Sequence, residues 1–111
     1  MTNTTTDDLR DLADRIADGT ATEIDFHAVM TSTDARVCYG AYTGLLDCVT
    51  LIEQPRHRHD LTREVHHDGE RVSVHWHSRA DPGIASAQGA DEARTRLLAA
   101  IRAMIWLEDQ G

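Results

Sequence analysis

The stretch VHHDGERVSVHWH, Val65 to His77, decides the fold of this 111-residue chain. Asp68-Gly69 stands between two runs with the composition of strands. A type I′ turn needs positive φ at both central positions, and Asp-Gly supplies it, so the spacing predicts a two-residue β-hairpin over 60–78. That turn pairs His67 with Glu70, Val65 with Val72, Leu61 with Trp76 and Asp60 with His77. Val72, Val74 and Trp76 then share an apolar face with Leu61 and Val65. Ser73, His75 and His77 share the other face with Thr62 and Asp60. Arg63 falls on the apolar face opposite Val74, where it must snorkel unless the register differs there.

Helices flank the hairpin. Leu9, Leu12, Ala13 and Ile16 recur at i, i+3, i+4 and i+7, which predicts an amphipathic helix capped by Thr5 or Thr6 and closed at Gly19. Its opposite side carries Asp7, Asp11, Asp14 and Asp18. Residues 22–30 read either way: Ile24, Phe26, Ala28 and Met30 alternate like a strand, but Thr22 with Asp25 resembles a capping box, and the balance tips to helix. Residues 31–43 read as a loop, after which Thr43 caps a helix with Leu45, Val49 and Ile52 on its buried side. Pro55 is expected to end it. Ser78 to Gly89 reads as a second loop. Asp91 caps the last helix, whose broad apolar face (Ala93, Leu97, Ala100, Ile101, Met104, Ile105 and Leu107) predicts packing across the sheet. The predicted class is α/β (α+β): a small sandwich of helices on a short antiparallel sheet. Residues 6–109 form one domain behind a flexible tail, 1–5.

Bulk composition narrows the function. A hydrophobic fraction of 41% suits a folded globule, and a net charge of −8 disfavours binding to nucleic acid or anionic membranes. The longest apolar run, Leu97 to Ile101, is far short of a membrane span, and the N-terminus lacks the features of a signal peptide. Cys38 and Cys48 form no metal or redox motif and read as reduced, half-buried thiols, so the expected compartment is the cytoplasm. No P-loop, dinucleotide-binding glycine motif or nucleophile elbow is present, and the chain is expected not to be an enzyme.

Two clusters remain as candidate sites. Six of the seven histidines lie between His57 and His77. His75 and His77 point the same way from a strand, and with Asp60 opposite they form a candidate zinc site, the basis of an alternative reading as a His-dependent metal-binding or metal-hydrolase module. Against it, His57 and His59 have the parity of Leu61, so four histidines of one regular hairpin do not converge. A solvated hairpin face, paired with Asp60, Glu64 and Glu70, explains the same residues, and a pH-responsive face is a further option. The second cluster is the acidic stripe Asp7, Asp11, Asp14 and Asp18, which reads either as a solvated face or as a docking surface for a basic protein.

A resemblance bears on the choice. Tyr42-Thr43-Gly44-Leu45-Leu46-Asp47-Cys48-Val49-Thr50-Leu51 resembles the "YTASLDAALTL" stretch of small phage proteins called phage ABA sandwich domains. Gly89-Ala90-Asp91-Glu92-Ala93, leading into Leu97-Leu98-Ala99-Ala100-Ile101-Arg102-Ala103, is similar to their "GATPALALCAAALRA" helix. Asp91-Glu92 replaces the family's Thr-Pro, and the histidine-rich hairpin departs from its pattern. The resemblance implies an α/β sandwich and a phage or prophage origin, with no defined activity and no functional residue carried over. The expectation is a small phage or mobile-element protein that needs no cofactor. It would act on a host or phage protein, most concretely as an inhibitor of a host defence complex (anti-CRISPR-like) that occupies a basic nucleic-acid-binding surface. A phage structural or assembly component, forming homo-oligomers, is the other alternative.

Overall fold

Asp91 accepts the backbone N–H of Arg94 at 2.7 Å and so starts the helix on which the other elements are laid. In a computed structural model, which describes residues 6–57 and 61–110, the order is α1 (Thr6–Asp18), α2 (Glu23–Val29), α3 (Ser32–Tyr42), α4 (Leu46–His57), β1 (Thr62–Asp68), β2 (Arg71–His77), β3 (Ala85–Gly89) and α5 (Glu92–Gln110). The three strands form one antiparallel sheet in the order β1-β2-β3. The fold is a small α+β globule, as the hairpin and helix patterns predict. The expected tail, 1–5, lies outside the described residues.

The centre of the fold is α5. From Thr95 to Ile101 every residue is buried, because one side of the helix lies on β2 and β3 and the others meet α1, α3 and α4. Trp76 and Val74 of β2, Leu97 and Ile101 of α5, Ile16 of α1 and Phe26 of α2 fill the core. Small residues line the sheet where α5 comes close. Gly89 faces Thr95 so closely that a Cβ there would lie 2.6 Å from its Oγ1. Among the described residues no helix is long and apolar enough to cross a membrane.

The hairpin differs from the expected register. Thr62 pairs with His77, Arg63 with Trp76, Val65 with Val74 and Asp68 with Arg71. The two central turn residues are therefore Gly69 and Glu70, with Gly69 at φ +63° in the first of the two positions. Glycine at that position is the requirement of the alternative two-residue hairpin turn. Displacing the turn by one residue displaces each partner by two, so every side chain keeps its face. The apolar and wet faces hold, but His77 lies across from Thr62 and not from Asp60, which is itself outside the described residues.

Four other expectations are corrected. Residues 31–43 are not a loop: Thr31 accepts the Asp34 N–H and opens α3, whose buried side is Ala35, Cys38, Ala41 and Tyr42. Those residues are small or polar-tipped, so the helical stripe is faint in the sequence. Thr43 closes α3 instead of opening α4, its N–H donating to Tyr39 O at 3.0 Å, and Leu45 is exposed in the connection. Helix α4 continues through Pro55 to His57, so the proline does not end it, although it cannot donate to the carbonyl four residues earlier. The third strand, Ala-Ser-Ala-Gln-Gly, sits in the predicted 78–89 loop. It lacks β-branched residues and takes its conformation from pairing with β2. Residues 22–30 do form a helix, with the Thr22 N–H donating to the Asp25 carboxylate at 2.8 Å in a capping box.

Candidate functional site

Three charged constellations are built by this fold. The first is the acidic side of α1. Asp7, Asp11, Asp14 and Asp18 are all exposed along one side of the helix. Both arginines of α1 are turned to internal pairs: Arg10 bridges Asp7 and Asp109 of α5, and Arg15 pairs with Asp25 of α2. Among the described residues, Asp11, Asp14 and Asp18 have no ion pair or side-chain hydrogen bond. The stripe lies along one side of the helix, and Asp7 differs from the other three in its ion pair with Arg10.

The second constellation is the outer face of the sheet. Helix α5 covers the inner face, and among the described residues no helix packs broadly on the other. Strand parity places Glu64 and His66 of β1 on the outer face with His75 and His77 of β2. Glu64 lies directly across from His75. Its Oε2 lies 2.9 Å from His77 Nε2, and its Oε1 lies 3.8 Å from His66 Nε2. The His66 and His75 ring centroids are 5.9 Å apart. His77 Nε2 is buried and makes no aligned hydrogen bond, so the short approach to Glu64 is an ion-pair distance without hydrogen-bond geometry. Of the predicted zinc ligands the fold brings His75 and His77 together. Among the described residues no three His, Cys, Asp or Glu side chains stand ready to hold a metal ion. The parity that grouped Ser73, His75 and His77 with Thr62 also contained Glu64 and His66, so they were within reach of the sequence reading.

The third constellation was hidden. Arg63, on the apolar side of β1, pairs with Glu53 of α4, which is only 2% exposed. Arg96 of α5 pairs with the same carboxylate through two of its nitrogens. It also binds Glu92 at 3.1 Å, and Glu92 Oε1 meets His67 Nε2 at 2.6 Å. The result is one chain of alternating charge, Arg63–Glu53–Arg96–Glu92, that runs through α4 and α5 and ends on the His67 ring at the end of β1. The His67 hydrogen bond holds the Glu92 carboxyl below its ordinary value against the opposing effect of burial, and Arg96 adds to it. Both oxygens of Glu53 are engaged by guanidinium groups. The arrangement fastens β1 and α4 to α5. Its one sequence signal was Arg63 at an apolar position.

Cys38 borders an apolar cleft of about 310 Å³ between α3, α4 and α5, and among the described residues the lining includes Met30, Val37, Ile52 and Met104 but no histidine. Neither Cys38 nor Cys48 is in a disulfide. Comparison of the chain with known protein families, with curated proteins and with solved structures finds no match. The resemblance to phage ABA sandwich domains therefore rests on its short motifs alone.

Proposed function

We propose that this chain is a non-catalytic binding protein that acts in the cytoplasm by protein–protein contact, through the outward carboxylates of α1 and against a basic partner surface. The observation that carries the reading is the state of Asp11, Asp14 and Asp18: exposed on one helix side, with no internal counter-charge among the described residues. Like charges three and four residues apart destabilise a helix by roughly 0.2–0.5 kcal/mol per pair, so the stripe does not serve the helix. A basic surface on a partner would supply the missing counter-charge and steer encounter.

In its most specific form, the partner is a host protein whose arginines and lysines grip nucleic acid, and this chain occupies them as a defence inhibitor. Acidity, small size and the phage resemblance support that form. The test is capture from a bacterial lysate by the native chain and by the Asp11→Arg/Asp14→Arg/Asp18→Arg variant. A partner held by the native chain should be lost by the variant and released as salt is raised to about 0.5 M. Equal capture by both chains would overturn the reading.

A further inference from the structure

Strand β1 is an edge of the sheet, and among the described residues no strand pairs with its far side. The pair that closes a two-residue turn, Asp68 and Arg71, exchanges backbone hydrogen bonds, and such pairs alternate along an antiparallel ladder. Thr62, Glu64, His66 and Asp68 therefore direct their backbone groups to β2, and Arg63, Val65 and His67 turn theirs outward. The opposite edge of the sheet is guarded. Strand β3 is five residues long, and Arg102 of α5 reaches it to donate to the Ser86 carbonyl at 2.8 Å. Strand β1 is seven residues long, contains no proline and pairs with β2 without a bulge, so it lacks the devices that keep an edge from pairing.

We propose that β1 pairs antiparallel with β1 of a second copy of this chain, about a two-fold axis at Val65. Facing residues of an antiparallel pair share a face, so such an axis must centre on one residue, and the charges of β1 choose which. An axis at Arg63 or at Glu64 sets that charge against itself. An axis at His66 sets Glu64 against the partner's Asp68. The axis at Val65 sets Glu64 against the partner's His66 on both sides of the two-fold, and it alone pairs the whole of Thr62–Asp68. Each outward N–H then finds a carbonyl: Val65 meets the partner's Val65, and Arg63 meets the partner's His67. Glu64 and the partner's His66 fall at a non-hydrogen-bonded position, where side chains are closest, with Cα atoms about 4.5 Å apart. Both side chains are free to engage, at 51% and 61% exposed. Arg63 and His67 are matched to carboxylates of their own chain, Glu53 and Glu92. Helix α1 packs on α5 and α2, so the acidic stripe stays outside the contact. One strand pair is small for a specific interface, and the expected dissociation constant is on the order of 100 μM.

Sedimentation velocity of the full chain, from about 10 μM to about 1 mM near neutral pH, tests the proposal. The native chain should pass from monomer to dimer across that range. Val65→Pro removes the central outward N–H, which β2 does not use, and should abolish the dimer. His66→Glu sets carboxylates against each other at both symmetric positions and should weaken the dimer about tenfold or more. Adding Glu64→His to it restores opposite partners and should recover most of the loss. A native chain that stays monomeric, a dimer indifferent to His66→Glu, or a double variant no tighter than the single one would overturn the proposal. Should Val65→Pro fail to fold, amide exchange of the native chain decides. The Arg63, Val65 and His67 amides should exchange more slowly as concentration rises, and slowing confined to other segments overturns the pairing. Partner capture through α1 is scored with the monomeric His66→Glu chain, so the failure of one reading is distinct from the failure of the other.

Discussion

Glu53 of α4 and Arg96 of α5 meet in the core 43 residues apart in sequence, and the same carboxylate also receives Arg63 from β1. One buried anion thus holds two cations and ties three elements together. Desolvating these charges is costly, and the pairing offsets that cost only while it is complete. Glu53→Ala should therefore destabilise the fold by about 3–5 kcal/mol, the range for breaking a buried pair. Urea unfolding measures it, and a loss under about 1 kcal/mol would show that water reaches the two guanidinium groups.

Acid should act through two carboxyls. Asp25 is held below its ordinary value by the Thr22 backbone N–H and then, against burial, by the Thr22 hydroxyl and Arg15. Glu92 is held down by His67 and Arg96. A carboxyl with a depressed folded-state pKa binds fewer protons folded than unfolded. Its contribution is complete above the unfolded value and is lost as pH falls through the folded one. Stability should be level with respect to these two groups near neutral pH and decline below about pH 4.5. Denaturation midpoints from pH 3 to 7 would show the slope, and Glu92→Gln should make it shallower.

Gly89 and Thr95 should be coupled. A Cβ at residue 89 would lie 2.6 Å from Thr95 Oγ1, which also donates to Asp91 O. Gly89→Ala should cost about 1–3 kcal/mol by overpacking. Thr95→Ala removes the obstructing oxygen, so the double variant should be more stable than the sum of the single effects predicts. Strict additivity in thermal melts would mean that β3 shifts outward instead.

The acidic stripe separates binding from folding. Asp14→Asn removes one like charge from the exposed side of α1 and should leave stability unchanged or raise it by a few tenths of a kcal/mol. Circular dichroism melts would report this. A substantial loss of Tm would assign Asp14 a structural contact in place of a surface role.

The sequence by itself determined what depends on local periodicity. The alternation of Val72, Val74 and Trp76 fixed the two faces of β2, and it did so even though the predicted turn was one residue out of place. The period of Leu9, Leu12, Ala13 and Ile16 set the buried side of α1, and the crowding of apolar residues in α5 marked the central helix. Tertiary structure alone decided the rest. Helix α3 buries Ala35, Cys38 and Ala41, which mark no strong stripe until α2 and α4 close on them. Strand β3 has neither propensity nor pattern and exists because β2 offers it a ladder. Arg63 stands out in the chain as a charge at an apolar strand position, whereas Glu53 and Arg96 carry no such signal. Their meaning arises only when folding brings α4, β1 and α5 together, because opposite charges far apart in sequence stabilise each other only at contact distance and away from water.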